Sequence, residues 1–196
     1  MPSPPRRSRP PVSRFPLLLR VELLDVEPKV LRRLVVPHDI RLSDLHAALQ
    51  TALGWTNSHL YEFKIAGRGY GVPADEAMGE PMIDSGRVAL MDAIRRTTRV
   101  FEYIYDFGDH WQHVVTVEKL GGTWDGPVGQ VALLEAVHRV PPENVGGAPG
   151  YADFLAAMAD PAHPEHSDMR KWAGKDFDPS AVPIEWIRAS LARLKI

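Results

Sequence analysis

From Phe15 to Val26 apolar side chains occupy every second position, with Phe15, Leu17, Leu19, Val21 and Leu23 on one face and Arg20 and Glu22 on the other. A period of two predicts a strand with one buried face. A second apolar run, Val30 to Val36, follows Glu27-Pro28-Lys29, so the two read as an antiparallel hairpin. Pro37 ends that pattern. Ser43 then stands where an N-cap is expected, and Leu45, Ala48, Leu49, Ala52 and Leu53 recur at helical spacing until Gly54 closes the helix. Leu60 to Ile65 predicts another strand, and Gly67-Arg68-Gly69-Tyr70-Gly71 a glycine-rich hairpin turn. The latter is no nucleotide loop, because it lacks both G-x-G-x-x-G spacing and a following Gly-Lys-Ser/Thr. Residues 73–87 read as a polar surface loop, and Val88 to Ile94 fits either a short helix or a strand.

The densest stretch comes next. Phe101, Tyr103 and Tyr105 alternate before Asp106-Phe107-Gly108-Asp109-His110, and Trp111, His113, Val115 and Val117 alternate after it. This predicts a hairpin with a polar tip, its reversal eased by Gly108 and by aspartates that bond their own backbone. A glycine-rich loop from Gly121 to Gly129 and a weakly patterned stretch from Leu133 to Val140 follow, then the hinged segment Pro141 to Gly150. Three helices close the chain. Tyr151–Ala159 carries Phe154, Leu155 and Met158 on one face; a second runs from a first-turn Pro164 to Gly174; the last begins at Pro183 and presents Ile184, Ile187, Leu191 and Leu194. Strands first and helices in the final third predict an α+β fold, a mostly antiparallel sheet packed with helices.

The 196 residues, 44% of them hydrophobic, suffice for one sizeable core. The organisation expected is a disordered Pro/Arg-rich tail over residues 1–14 and a single domain over 15–196. No apolar run nears the roughly 18 residues of a membrane span, and the basic start lacks a secretory pattern, which predicts a cytoplasmic, soluble protein without membrane contact. There is no cysteine, so disulfides, thiolate metal sites and cysteine nucleophiles are excluded. The net charge of −2 divides unevenly: Arg6, Arg7, Arg9 and Arg14 give the tail +4, leaving −6 on the body. A mildly acidic body argues against a large DNA-binding face, and weak, non-specific nucleic-acid contact by the tail is the most its composition supports.

Several segments resemble one family in order. Asp25-Val26-Glu27-Pro28-Lys29-Val30-Leu31-Arg32-Arg33, Leu42-Ser43-Asp44-Leu45-His46 through Gly54-Trp55, His59-Leu60-Tyr61-Glu62-Phe63, Tyr105 to His113, Pro141 to Gly147, Gly150-Tyr151 and Asp176-Phe177-Asp178-Pro179 are similar to the plasmid Ri ORF-three-like family, whose members are also called insertion-element passengers and transposon resolvase-like. The resemblance spans about residues 16–190. It implies a compact α+β domain with an antiparallel sheet and brings no biochemical activity with it. The chain departs from the family at Leu31, where tryptophan is common, and at Val131 and Val140, in a segment where many members carry cysteines. A serine recombinase needs an activated serine, an arginine cluster and a recognition helix. No serine here is locally paired with arginines, so the resolvase-like label reads as inherited from genetic neighbourhood.

The candidate binding residues are Asp106, Asp109, Trp111, His113, Asn144, Gly146, Gly147 and Tyr151, on the expectation that the hairpin tip meets the Asn144–Gly147 loop. Asp106, Asp109 and His113 also form the candidate set for a divalent metal, since carboxylate oxygens and imidazole suit zinc, manganese or iron. The alternative for them is turn capping, packing and a His113–carboxylate hydrogen bond. His46, His59, His163 and His166 are weaker candidates. Three functions stand open: a non-enzymatic binding or accessory module for an unknown protein or small-molecule partner, with Trp55, Tyr61 and Tyr151 adding to its recognition surface; a metal-dependent hydrolase, conceivably of phosphodiesters; and a DNA-associated factor acting through the arginine tail. The first is favoured, with no catalytic residue and no cofactor assigned.

Overall fold

A computed structural model of the chain describes residues 16–73, 82–94, 98–120, 126, 129–174 and 176–196. The arginine tail and most of the 121–128 loop lie outside the described residues. The first hairpin forms from β1 (Leu17–Leu23) and β2 (Leu31–Val36), with a register that sets Leu19 opposite Leu34 and Val21 opposite Arg32. Its connection carries a cis Glu27–Pro28 peptide. Strands β3 (Tyr61–Ile65) and β4 (Arg68–Gly71) form an antiparallel pair; the reversal is confined to Ala66-Gly67, and Arg68–Gly71 of the glycine-rich stretch is strand. The short β5 (Ile83–Asp84) runs parallel to β4. The central hairpin is β6 (Val100–Tyr105) with β7 (Trp111–Leu120), and the weakly patterned stretch after it is a strand, β8 (Ala132–Val137).

All eight strands form one sheet in the order β5-β4-β3-β6-β7-β1-β2-β8, antiparallel except at β4–β5. The fold is α+β, as the strand-then-helix pattern predicts. Alternation assigns the core face directly. Leu17, Leu19, Val21 and Leu23, then Tyr61, Phe63 and Ile65, Phe101, Tyr103 and Tyr105, and Trp111, His113, Val115 and Val117 are all buried. Arg32 is a charged exception in the core, donating to the Ala52 carbonyl of the following helix at 2.8 Å; on the opposite face Arg33 on β2 reaches Glu118 on β7 at 2.8 Å and Glu135 on β8 at 3.4 Å.

Helix α1 (Leu42–Leu53) covers the core face with Leu42, Leu45, Ala48, Leu49 and Ala52 fully buried. Its N-cap is Arg41 and not Ser43, which lies inside the first turn; no side chain caps this end. The backbone N–H of Leu42 instead donates to the carbonyl of Val88 across an isolated bridge between Arg41 and Ala89, so tertiary pairing replaces the local cap. Gly54 closes the helix with φ +87°. The ambiguous 88–94 segment resolves to a single turn, α2 (Leu90–Ala93). Helices α3 (Gly147–Ala159), α4 (His166–Ala173) and α5 (Ile184–Leu191) complete the chain, with α5 packed on α1 and β8 and α3 against α4. Pro164 sits ahead of α4, whose N-cap is Glu165. Helix α3 begins four residues before Tyr151.

Candidate functional site

Three of the segments singled out in the sequence, His59–Phe63, Tyr105–His113 and Pro141–Gly147, meet at the end of the sheet where β6 turns into β7. The turn is built by Asp106, whose backbone takes φ 57° and whose carboxylate accepts from the N–H groups of Gly108 (2.9 Å) and Asp109 (3.3 Å). This is the side-chain mimicry of a backbone turn for which aspartate is favoured. The other oxygen of Asp106 lies 3.5 Å from Nε2 of His59, in the loop between α1 and β3. Asp109 reaches the third segment: its carboxylate accepts from the Gly146 N–H at 3.3 Å. Gly147, at φ +69°, comes so close that a Cβ there would sit 2.6 Å from the Asp109 carbonyl oxygen. The hairpin tip and the Asn144–Gly147 loop therefore touch, and glycine is what lets them.

Glu143, one residue before Asn144, ties the same elements from behind. Its carboxylate accepts from the Tyr105 hydroxyl at 2.6 Å, from the Thr56 N–H at 3.0 Å, and from the hydroxyls of Thr56 and Ser58. Burial alone raises its pKa, but these donors outweigh burial and hold it below the ordinary glutamate value. Tyr105 is pushed up to about 12 by burial and by the bond to Glu143. Trp55 stacks on Tyr105 with centroids 5.1 Å apart and donates its indole N–H to the Pro141 carbonyl at 3.0 Å. Glu143 lies in the Pro141–Gly147 segment, but Thr56 and Ser58 do not stand out in the sequence; their pairing joins residues more than eighty positions apart, which no local pattern signals.

His113 is fully buried in this end of the core, with Trp55 edge-on at 5.5 Å. Its partner is not a carboxylate but the Tyr103 carbonyl, 3.1 Å from Nδ1. A carbonyl only accepts, so Nδ1 carries a proton, and Nε2, in this buried site, is left without a partner among the described residues. Burial lowers its pKa to about 4. Asp106 and His113 thus do not converge: one builds the surface turn, the other is locked under the sheet by the alternation it shares with Trp111. Among the described residues no three histidine, aspartate or glutamate side chains gather as a metal site would require. Trp111 and Tyr151 are 1% exposed, and Trp55 and Tyr61 are also buried, so these four aromatics belong to the core and offer no recognition surface.

Of the weaker histidine candidates, His46, His163 and His166 have hydrogen-bond partners, whereas the buried Nε2 of His59 has none among the described residues beyond its 3.5 Å approach to Asp106. His46 stacks flat on Tyr61 at 3.5 Å and bonds the Tyr103 hydroxyl (2.8 Å) and the Asn57 side-chain oxygen (2.6 Å). Burial pushes it down to about 4. His163 accepts from the Glu165 N–H, and His166 bonds the Ala157 carbonyl.

What opens to solvent is a groove beyond the Asn144 loop. Asn144, Val145 and Gly150 form one end, Asp153 and Phe154 of α3 one wall, and Glu165, Met169 and Trp172 the other; its volume is about 350 Å³. The helical spacing places Gly150, Asp153 and Phe154 on one stripe and Glu165, Met169 and Trp172 on another. Gly150 permits the close fold-back, since a Cβ there would meet the Val145 carbonyl oxygen at 2.1 Å. Phe154 floors the groove edge-to-face with Trp172 at 5.8 Å, and Trp172 remains half exposed. Of the sequence candidates only Asn144 lines it. Asp153, Glu165, Met169 and Trp172 escape a sequence reading because the groove arises only where α3 packs on α4.

An eight-stranded, mostly antiparallel sheet packed with helices defines the class. Within it, the chain belongs to the plasmid pRiA4b ORF-3-like protein family, whose model matches residues 16–185. It is 49% identical over 169 residues to the uncharacterized protein y4hQ of Sinorhizobium fredii (strain NBRC 101917 / NGR234), covering 84% of each chain. A crystal structure of a protein of unknown function, MM3350 from Methanosarcina mazei Go1, superposes with a TM-score of 0.77 at 29% identity, covering 89% of this chain and 98% of that one.

Proposed function

We propose that this protein is a non-enzymatic binding module, an accessory protein of plasmids or other mobile elements that works in the cytoplasm and receives its partner in the groove between α3 and α4. The observation that carries the reading is the combination of an open 350 Å³ groove with a half-exposed tryptophan and a frame of tightly bonded motif residues beneath it. Binding surfaces concentrate exposed aromatic anchors on rigid scaffolds. Here the Asp106–His113 turn is the scaffold: it holds the Gly146–Gly147 backbone, and through it the start of α3, in place. The hydrolase alternative lacks comparable support, because Asp106 and His113 each have a structural partner and face different environments. No helix among the described residues is long and apolar enough to cross a membrane, in keeping with a partner met in solution.

A fragment screen by protein-observed NMR tests the reading, run beside turnover of a phosphodiester ester with added Mn²⁺ or Zn²⁺. The expected result is fragment-induced shifts on Asn144, Asp153, Met169 and Trp172, with no metal-dependent turnover. Turnover abolished by Asp106→Asn, with no fragment in the groove, would overturn it.

A further inference from the structure

We infer that the groove between α3 and α4 is a receptor for an arginine side chain presented by a basic peptide segment of a partner protein; this rests on the binding-module reading and names its ligand. The walls carry two carboxylates, Asp153 and Glu165, and no lysine, arginine or histidine is among the lining residues. Neither carboxylate forms an ion pair among the described residues, whereas Asp168 on the same helix is bonded to Lys171 at 3.3 Å. Among the described residues the charge in the groove is therefore of one sign and without an ion-pair partner. The apolar part of the lining is equally selective. Trp172 offers a half-exposed indole and Met169 a polarisable thioether over the buried Phe154 ring, surfaces on which a planar, weakly hydrated guanidinium lies well.

Arginine matches both halves of this lining at once. Its methylene stem packs on Phe154 and Met169 while its five N–H donors reach carboxylates and the Asn144 amide oxygen. The groove, at about 350 Å³, sits at the small end for ligand sites, sized for a side chain with adjoining backbone rather than for a large cofactor. Its frame comes from below: the Gly146 N–H donates to Asp109, and Gly150 lies close to the Val145 carbonyl, which ties both ends of the loop presenting Asn144.

The test is titration of the full chain with acetyl-Gly-Arg-Gly-amide and, separately, with the citrulline analogue, which keeps shape and removes charge. The indole N–H signal of Trp172, assigned through Trp172→Phe, is followed by ¹H–¹⁵N NMR. Binding is expected for the arginine peptide and not for the citrulline peptide, weakening about tenfold in Asp153→Asn/Glu165→Gln, whose fold is checked by an unchanged melting temperature. Equal binding of both peptides, or of neither, would overturn the assignment. The full chain with Arg6, Arg7, Arg9 and Arg14 replaced by glutamine serves as a second arm: a Trp172 signal already moved without peptide means that the chain's own tail fills the groove, which overturns the assignment to a partner. Uncharged fragments that occupy the groove while the arginine peptide does not would sink this inference and leave the binding-module reading intact.

Discussion

Acidification should destabilise the protein well before its carboxylates titrate, because two imidazoles are buried in the neutral form. Burial lowers the pKa of both His46 and His113 from 6.5 to about 4. The unfolded chain takes up a proton on each near its ordinary value, so between pH 6.5 and 4 it binds more protons than the folded one. Stability is therefore fully present above pH 6.5 and is lost as the pH falls towards 4. Integrating the linkage relation from pH 7 to pH 5 gives about 2 kcal/mol for each histidine, so both together remove about 4 kcal/mol from a total that for a domain is about 5–15 kcal/mol. Urea denaturation followed by tryptophan fluorescence at the two pH values measures this. His113→Gln serves as the control: it lowers stability at pH 7, since it replaces a packed ring by a flexible amide, but it halves the loss between pH 7 and pH 5. An unchanged stability across that range in the parent protein, or an unchanged slope in the variant, would refute the placement of His113 as a neutral ring in the core.

Glycine substitutions separate backbone strain from steric contact. Gly54 and Gly147 both have positive φ, but a Cβ at Gly54 meets nothing within 4 Å whereas one at Gly147 strikes the Asp109 carbonyl; Gly54→Ala should cost about 1 kcal/mol and Gly147→Ala at least about twice that, read from urea midpoints. Glu143→Gln should lower the Tyr105 pKa from its raised value, seen as an earlier step in the ultraviolet titration of tyrosine, and equal titration curves would show that Glu143 does not bear on Tyr105. Trp172→Ala should leave the melting temperature within about 2 °C of the parent, because half of the side chain is already solvated, while abolishing fragment binding in the groove.

Much of this architecture is written in short-range patterns. The alternation in Leu17–Leu23 and in Trp111–Val117 alone identifies the core face of β1 and β7, and it also places His113 beside Trp111 and away from solvent. What alternation cannot give is the partner across the hairpin, which is the Tyr103 carbonyl where a carboxylate was expected. Helix α1 is legible from its periodic leucines and Gly54, but its first turn is not, because Arg41 is held by pairing with Ala89 from a distant segment. The start of α3 is hidden for a related reason. Gly146, Gly147, Pro149 and Gly150 read as loop residues by propensity, yet Gly147 and Gly150 are needed in the helix for close approach to Asp109 and Val145. The contact between the Asp109 tip and the Gly146 loop follows from the density of motif residues in both segments. The groove itself comes from α3 against α4, a packing that depends on tertiary context.

The claim that the hairpin motif is scaffold and the α3–α4 groove is the receptor is tested most directly by mapping bound fragments and divalent metal on one assigned ¹H–¹⁵N spectrum of the full chain. The account predicts fragment shifts centred on Asn144, Gly150, Asp153, Met169 and Trp172, with the amides of Asp106 to His113 unmoved by Mn²⁺ or Zn²⁺. Site-specific metal broadening or shifts at Asp106, Asp109 and His113, with no fragment found between α3 and α4, would contradict it.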